Sequence, residues 1–253
     1  MYAALTIAGS DSSGGAGIQA DLRTFTTLNV HGFSAVTAVT AQGKNGVTAV
    51  HYVSPDVILA QVTAALDSMP KIGVKTGMLA THGAVDTVCN IMRERSIHPV
   101  VDPVITSSSG TALLVDDALE FMISNLFPLA SVVTPNIDEA ERLTGTNIRT
   151  PADAKTAAKR IGDLGPQAVI ITGGHLNPES DTVVDFVFDG EIHNEISTPR
   201  AHPKVPLQSR GTGCTYTAAL LARLIQEDEL VEAARFAQNY VARLLSTQNV
   251  SSI

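Results

Sequence analysis

Tryptophan is absent from this 253-residue chain, and only four tyrosines and seven phenylalanines stand beside an apolar fraction of 44%. The core must therefore be assembled from Ala, Val, Ile and Leu, the composition of strands buried on both faces of a parallel sheet. Cysteine is scarce too. Cys89 and Cys214 lie far apart with no CxxC pairing, which excludes a disulfide scaffold and suits a reducing cytoplasm. Basic residues are outnumbered, and a net charge of -8 with a pI near 5.3 argues against nonspecific nucleic-acid binding, which needs a basic surface. No apolar run reaches membrane length, and Tyr2 to Gly9 opens without a basic n-region, so a chain neither targeted nor membrane-bound is expected. No Pro/Gly/Ser-rich linker or single-sign charge run divides residues 1 to 253, which read as one domain. The P-loop pattern G-x-x-x-x-G-K-[ST] is missing, and seven histidines show neither HxxxH nor HExxH spacing, so a P-loop nucleotidase and a zinc enzyme are both unsupported.

What is present alternates. Short apolar runs near residues 3 to 8, 34 to 41, 72 to 77, 98 to 104, 131 to 134 and 168 to 173 read as parallel strands. Helical spacing lies between them at 16 to 28, 55 to 67, 83 to 95, 115 to 126 and 151 to 163, with Pro55 and Pro151 suited to first turns. Val183 to Phe188, Asp189-Gly190 and Glu191 to Ser197 read as an antiparallel hairpin at one sheet edge. Helices near 213 to 226 and 229 to 246 complete a three-layer α/β/α sandwich around a mostly parallel sheet. Ligands in such folds bind beyond the carboxyl ends of the strands, so the loops there are where chemistry is sought.

The first such loop, Gly9-Ser10-Asp11-Ser12-Ser13-Gly14-Gly15-Ala16-Gly17, lets backbone approach a ligand. It contains a weak GxGxxA match. Six residues separate that match from the strand and no acid follows at the right distance, which disfavours dinucleotide binding. The second glycine site, Arg210-Gly211-Thr212-Gly213-Cys214, precedes a helical run. Unpaired N–H groups at a helix N-terminus can wrap an anion that develops during reaction. The same position is expected to lower the Cys214 pKa and let a thiolate accept a proton from an attacking hydroxyl; the plainer alternative is a buried Cys at an ordinary helix start. Asp102 at a strand end and Glu139, three residues after Asn136, could supply the sparse carboxylates Mg2+ prefers, although Asn136 and Glu139 also suit a helix cap. Thr172-Gly173-Gly174-His175 offers backbone beside a nucleotide.

In order, Ala8-Gly9-Ser10-Asp11 through Asp21-Leu22, Thr40-Ala41-Gln42, Lys75-Thr76-Gly77-Met78-Leu79, Asp102-Pro103-Val104, Thr134-Pro135-Asn136, Gly173-Gly174-His175 and Gly211-Thr212-Gly213-Cys214 form a series. Over about residues 3 to 247 it resembles the hydroxymethylpyrimidine and phosphomethylpyrimidine kinases of thiamine synthesis, of the ribokinase-like fold. The resemblance implies an ATP- and Mg2+-dependent kinase, a homodimer, with Asp21 and Gln42 hydrogen-bonding the pyrimidine, Gly9 contributing backbone, and Met78 and Val104 lining its apolar face. It further implies an anion hole of Gly211, Thr212 and Gly213, Cys214 as general base, Asn136 and Glu139 positioning Mg2+ through water with Asp102 near metal and phosphates, and Gly173 and Gly174 bordering ATP.

Arg210 stands where the family usually carries His, and could reach a phosphate or point outward; Ser12 replaces a common Pro, and Thr172, at the nucleotide, replaces a frequent Lys. Related pyridoxal kinases share the opening loop and the K-T-G-M-L motif, which makes pyridoxal the rival substrate. Gln42 favours the pyrimidine, because an amide can read ring nitrogen and amine together. A ligand-binding regulator on a decayed kinase scaffold is the reading from another class; it predicts loss of a chemical residue, and Asp102, Glu139, Gly211, Gly213 and Cys214 are all retained.

Overall fold

A computed structural model describes residues 1–107, 110–201 and 210–246. Nine strands form one sheet in the order β3-β2-β1-β4-β5-β6-β7-β8-β9. The central strands β1 (Tyr2–Asp11), β2 (Val30–Gly43), β4 (Gly73–Thr76), β5 (Val100–Val101), β6 (Val132–Val133) and β7 (Ala168–Ile171) are parallel. At one edge β7 pairs antiparallel with β8 (Thr182–Phe188), which pairs with β9 (His193–Pro199), as the hairpin reading expected. At the other edge β2 turns back into an antiparallel strand not anticipated from the sequence, β3 (Gly46–Tyr52).

Successive residues of the inner strands face opposite ways and are buried on both sides. Leu5, Ile7, Val74, Val101, Val133, Val169 and Ile171 join one core with α2 (Pro55–Ser68), α3 (His82–Glu94), α4 (Asp116–Asn125), α5 (Ile137–Thr144) and α6 (Pro151–Gly162). Ala4, Val100, Val132, Ala168 and Ile170 join the other with α1 (Gly17–Thr27), α7 (Thr212–Leu224) and α8 (Leu230–Ser246). The three layers follow. Helix starts obey local rules: Pro55 and Pro151 occupy first turns, and Thr150 with Asp153 closes a capping box on α6. The carboxyl ends of β1, β4, β5, β6 and β7 lead into the loops singled out above, and α7 begins among them.

Candidate active site

The first glycine loop is wound around one carboxylate. Asp11 is buried and accepts hydrogen bonds from the Ser13 N–H, the Ser13 hydroxyl and the Ala16 N–H at 2.8, 2.8 and 2.9 Å. Ser12 ties this loop to the end of β2, its Oγ donating to the Gln42 carbonyl at 3.0 Å. The second glycine turn closes on it. Gly211 has φ +68°, and a Cβ there would overlap the Gly15 carbonyl oxygen and lie 2.9 Å from the Ala16 Cα. Only glycine permits that approach. The two glycine loops, 195 residues apart in sequence at Ala16 and Gly211, thus form one surface. Gly213 in the first turn of α7 is exposed, with nothing within 4 Å of where a Cβ would stand, so the free N–H groups of that turn meet open space.

Beneath this surface lies a buried ionic network. Lys75 is wholly enclosed, with Nζ 2.7 Å from Asp21 Oδ1 and 3.8 Å from Asp102 Oδ2. The other Asp21 oxygen accepts the Thr6 hydroxyl at 2.6 Å. Burial works against the lysine charge, but Asp21, Cys214 and Asp102 more than offset it and hold the ammonium above the ordinary lysine range. Asp21, expected at the pyrimidine, therefore faces Lys75 here rather than an open cavity. Asp102 is pushed up to about 6 by burial, with Lys75 opposing and Asp21 adding. Its Oδ2 has no hydrogen-bond partner among the described residues. Glu139 is pushed up to about 8, by burial first and then by the charge of Asp102. Both its oxygens accept backbone N–H groups, from Asn136 at 3.0 Å and Ile105 at 3.4 Å, while Asn136 Oδ1 accepts the Glu139 N–H at 2.9 Å. Glu139 is thus half of the capping box of α5 as well as a metal candidate.

Cys214 corrects one expectation. A helix N-terminus lowers a thiol's pKa when little else surrounds it, but here burial pushes the thiol up to about 12, and the charges of Asp102 and Asp21 push the same way. Lys75 and the Gly17 N–H pull it down without prevailing. The residue keeps some accessible surface, and its sulfur is a protonated thiol at neutral pH.

The remaining candidates fall on two sides of α7. Met78 joins Ala38 and Ala80 in a small apolar cluster, with Val104 packed on it. Gly9 lies under the Met78 thioether, since a Cβ there would stand 3.0 Å from Sδ. Gln42 is half-buried at the end of β2. On the other side Asn136, Thr172, Gly174, Thr212 and Gly213 line a cavity of about 210 Å³. Gly173 is buried behind that wall. Arg210 packs its Cβ towards Gly15, and its Nη1 is buried without a partner among the described residues. His175 makes a surface pair with Asp138 at 3.2 Å. Cys89, buried at up to about 11, is an inert core thiol.

Lys75, Asp185 and Arg200 were given no role by sequence reasoning. A charge inside the apolar runs around Val74 and Val183 to Phe188 was the available signal.

The family model described as phosphomethylpyrimidine kinase matches residues 11–251. A Bacillus subtilis hydroxymethylpyrimidine/phosphomethylpyrimidine kinase is 42% identical over 242 residues, covering 95% of this chain and 88% of the relative. The crystal structure of phosphomethylpyrimidine kinase from Clostridium difficile 630 superposes with a TM-score of 0.82 at 37% identity, over 96% of this chain and 99% of that one. The pyridoxal kinase of Staphylococcus aureus, solved with AMP-PCP and pyridoxal, gives 0.85 at 34% identity, over 99% and 91%. With the motif series complete along one sheet edge and the match running almost end to end, the chain belongs to the phosphomethylpyrimidine kinase family and is a phosphotransferase.

Proposed function

We propose that the protein transfers the terminal phosphoryl group of ATP to the hydroxymethyl group of hydroxymethylpyrimidine, and then to the resulting monophosphate, in thiamine synthesis. The observation that carries this reading is the closure of Gly211 onto Gly15 and Ala16. It sets the N-terminal turn of α7, whose Thr212 and Gly213 line the cavity, against the glycine loop whose Gly9 lies under the Met78 thioether.

ATP enters the cavity beside Thr172 and Gly174, with its phosphates directed to Thr212 and Gly213; Arg210, one residue before the Gly211 turn, is the cation closest in sequence to those phosphates. The pyrimidine lies against Met78 and Val104 over Gly9, with the Gln42 amide reading its polar edge; Asp21 joins them only where Lys75 leaves it free. Phosphoryl transfer asks chiefly for alignment and charge neutralisation. The backbone N–H groups of Gly211, Thr212 and Gly213 meet that demand by donating to oxygens that gain charge in the transition state. Cys214 accepts the hydroxymethyl proton as the O–P bond forms only in the small fraction of molecules whose thiol has first lost its own proton to solvent, so its part is secondary to that of the anion hole.

Asp102 Oδ2, which accepts no hydrogen bond among the described residues and meets Lys75 only at 3.8 Å, and the elevated Glu139 carboxyl form a donor set that fits Mg2+. Among the described residues no three metal-binding side chains cluster, which suits an ion held partly by phosphate and water, with Glu139 and Asn136 acting through water. Bound there, Mg2+ neutralises phosphate charge.

Pyridoxal is the second reading, supported by the likeness to the staphylococcal enzyme. A homodimer fits the exposed Val39 and Tyr52 at the β2–β3 edge. A cytoplasmic setting fits two unpaired cysteines and described helices of which none is long and apolar enough to cross a membrane. Incubation with ATP, Mg2+ and hydroxymethylpyrimidine should yield the mono- and then the diphosphate by mass; ADP release with neither product sinks the reading.

A further inference from the structure

The nucleotide cavity stands on polar chemistry that phosphoryl transfer leaves without a role. Asp185, 1% exposed, sits in β8 between Val184 and Phe186. Its Oδ1 accepts the N–H of Gly173 at 2.9 Å, and the next residue, Gly174, lines the cavity. Asp185 Oδ2, Tyr216 Oη and Gln238 Oε1 are buried and none has a partner at full hydrogen-bond geometry among the described residues, but Tyr216 and Gln238 come near enough to Asp185 to interact with its carboxyl. Burial raises the Asp185 carboxyl while Gly173, Gln238 and Tyr216 pull it down, and Tyr216 is raised by burial and then by Asp185.

Tyr216 lies on α7 two residues beyond Cys214, so Asp185 adjoins both the cavity wall and the helix that carries the anion hole. Gln238 on α8 anchors the far side, its Nε2 donating to the Ile196 carbonyl at 3.1 Å. A second lining residue, Arg200, also grips the wall. Arg200 donates to the carbonyls of Gly174, Ser180 and Asn177 at 3.0, 2.7 and 2.8 Å. The peptide groups on either side of the Gly173–Gly174 bond are thus held by groups of opposite charge, a carboxyl on the N–H of Gly173 and a guanidinium on the carbonyl of Gly174. A buried carboxyl with no cation beside it is costly, and in an otherwise apolar strand it marks more than packing.

We propose that Asp185, with Tyr216, is a positioning residue for nucleotide binding: both line the cavity, and through the Gly173 N–H Asp185 fixes the Gly173–Gly174 wall relative to the first turn of α7. This deepens, and rests on, the assignment of the cavity to ATP.

Steady-state kinetics on the full chain, varying ATP at saturating pyrimidine and the reverse, test it. Loss of a buried acceptor should raise the KM for ATP on the order of ten- to a hundredfold in Asp185→Ala. Tyr216→Phe should raise it about threefold or more, with the KM for the pyrimidine within about twofold of wild type in both. Asp185→Asn keeps an acceptor for Gly173 and should restore most of the ATP affinity. A residue that only supports folding would lower the melting temperature and leave both KM values at wild type. Gly174→Val, whose side chain would enter the cavity, is the reference. If it raises the KM for ATP while Asp185→Ala and Tyr216→Phe do not, the proposal is overturned and the cavity assignment stands; if none of the three does, both fall. Should Asp185→Ala fail to fold, Tyr216→Phe decides alone: a raised KM for ATP supports the proposal and an unchanged one overturns it.

Discussion

Gly211→Ala is the smallest change that should separate the two glycine loops. A non-glycine residue at φ +68° costs about 1–2 kcal/mol from its own backbone. The added Cβ would also overlap the Gly15 carbonyl and stand 2.9 Å from the Ala16 Cα, where carbon atoms pack at about 3.5–4.0 Å. One loop must therefore retreat by roughly 1 Å, and misplacement of that size costs on the order of 10²-fold in rate. Gly145 supplies the control. It has φ +67° with nothing within 4 Å, so Gly145→Ala meets the backbone strain without the collision. For a chain of this size 1 kcal/mol moves the melting temperature by about 2–4 °C. Both variants should lose stability on that scale, Gly211→Ala more, and only Gly211→Ala should lose kcat, read by coupled ADP release beside a thermal melt. A Gly211→Ala protein with kcat within about threefold of wild type and no greater loss of melting temperature than Gly145→Ala would refute the idea that this contact builds the anion hole.

Cys214→Ala should lower kcat by about 10²- to 10⁴-fold, the usual contribution of a positioned base, while ATP still binds in a titration. Unchanged turnover would remove the thiol from the reaction. With the thiol held up at about 12, the part of the wild-type rate that depends on Cys214 should rise with pH from neutral to about 9 without levelling off. Lys75→Met strands Asp21 and Asp102 without their countercharge and should cost about 3–5 kcal/mol in urea unfolding. Adding Asp21→Asn should recover part of that loss, and no loss at all would mean the acids are neutralised elsewhere. Asp185 is raised to about 6 when folded, so the native state holds its proton longer than the unfolded chain, and stability is lost as pH rises through that value. Relative to Asp185→Asn, wild type should lose about 1 kcal/mol between pH 5 and pH 8; a constant difference would contradict a buried, elevated carboxyl.

The sheet was legible where burial writes a continuous apolar run, as in Ala3 to Ala8 or Ala168 to Ile171. The run at 98 to 104 shrank to Val100–Val101 because Pro99 and Pro103, lacking N–H donors, bracket it. Strand β3 escaped notice because only Gly46 in it is buried, so it has no hydrophobic face to read. Helix α5 was visible only through its cap at Asn136 and Glu139, being eight residues long behind Pro135. Among site residues, Asn136, Thr172, Gly174, Thr212 and Gly213, singled out from strand-end loops and a helix entry far apart in sequence, line one cavity. Local context could not supply what distant neighbours do. The sign of the Cys214 shift depends on the packing around its sulfur and on Asp102 and Asp21, and Lys75 gains its meaning only when β4 aligns it with α1.

The most direct measurement compares kcat/KM for hydroxymethylpyrimidine, its monophosphate and pyridoxal under Mg2+ and ATP, with each product identified by mass. The two pyrimidines should turn over faster than pyridoxal, both giving phosphorylated pyrimidine. Turnover of pyridoxal alone would contradict the reading of Gln42 and move the protein's activity to the rival substrate.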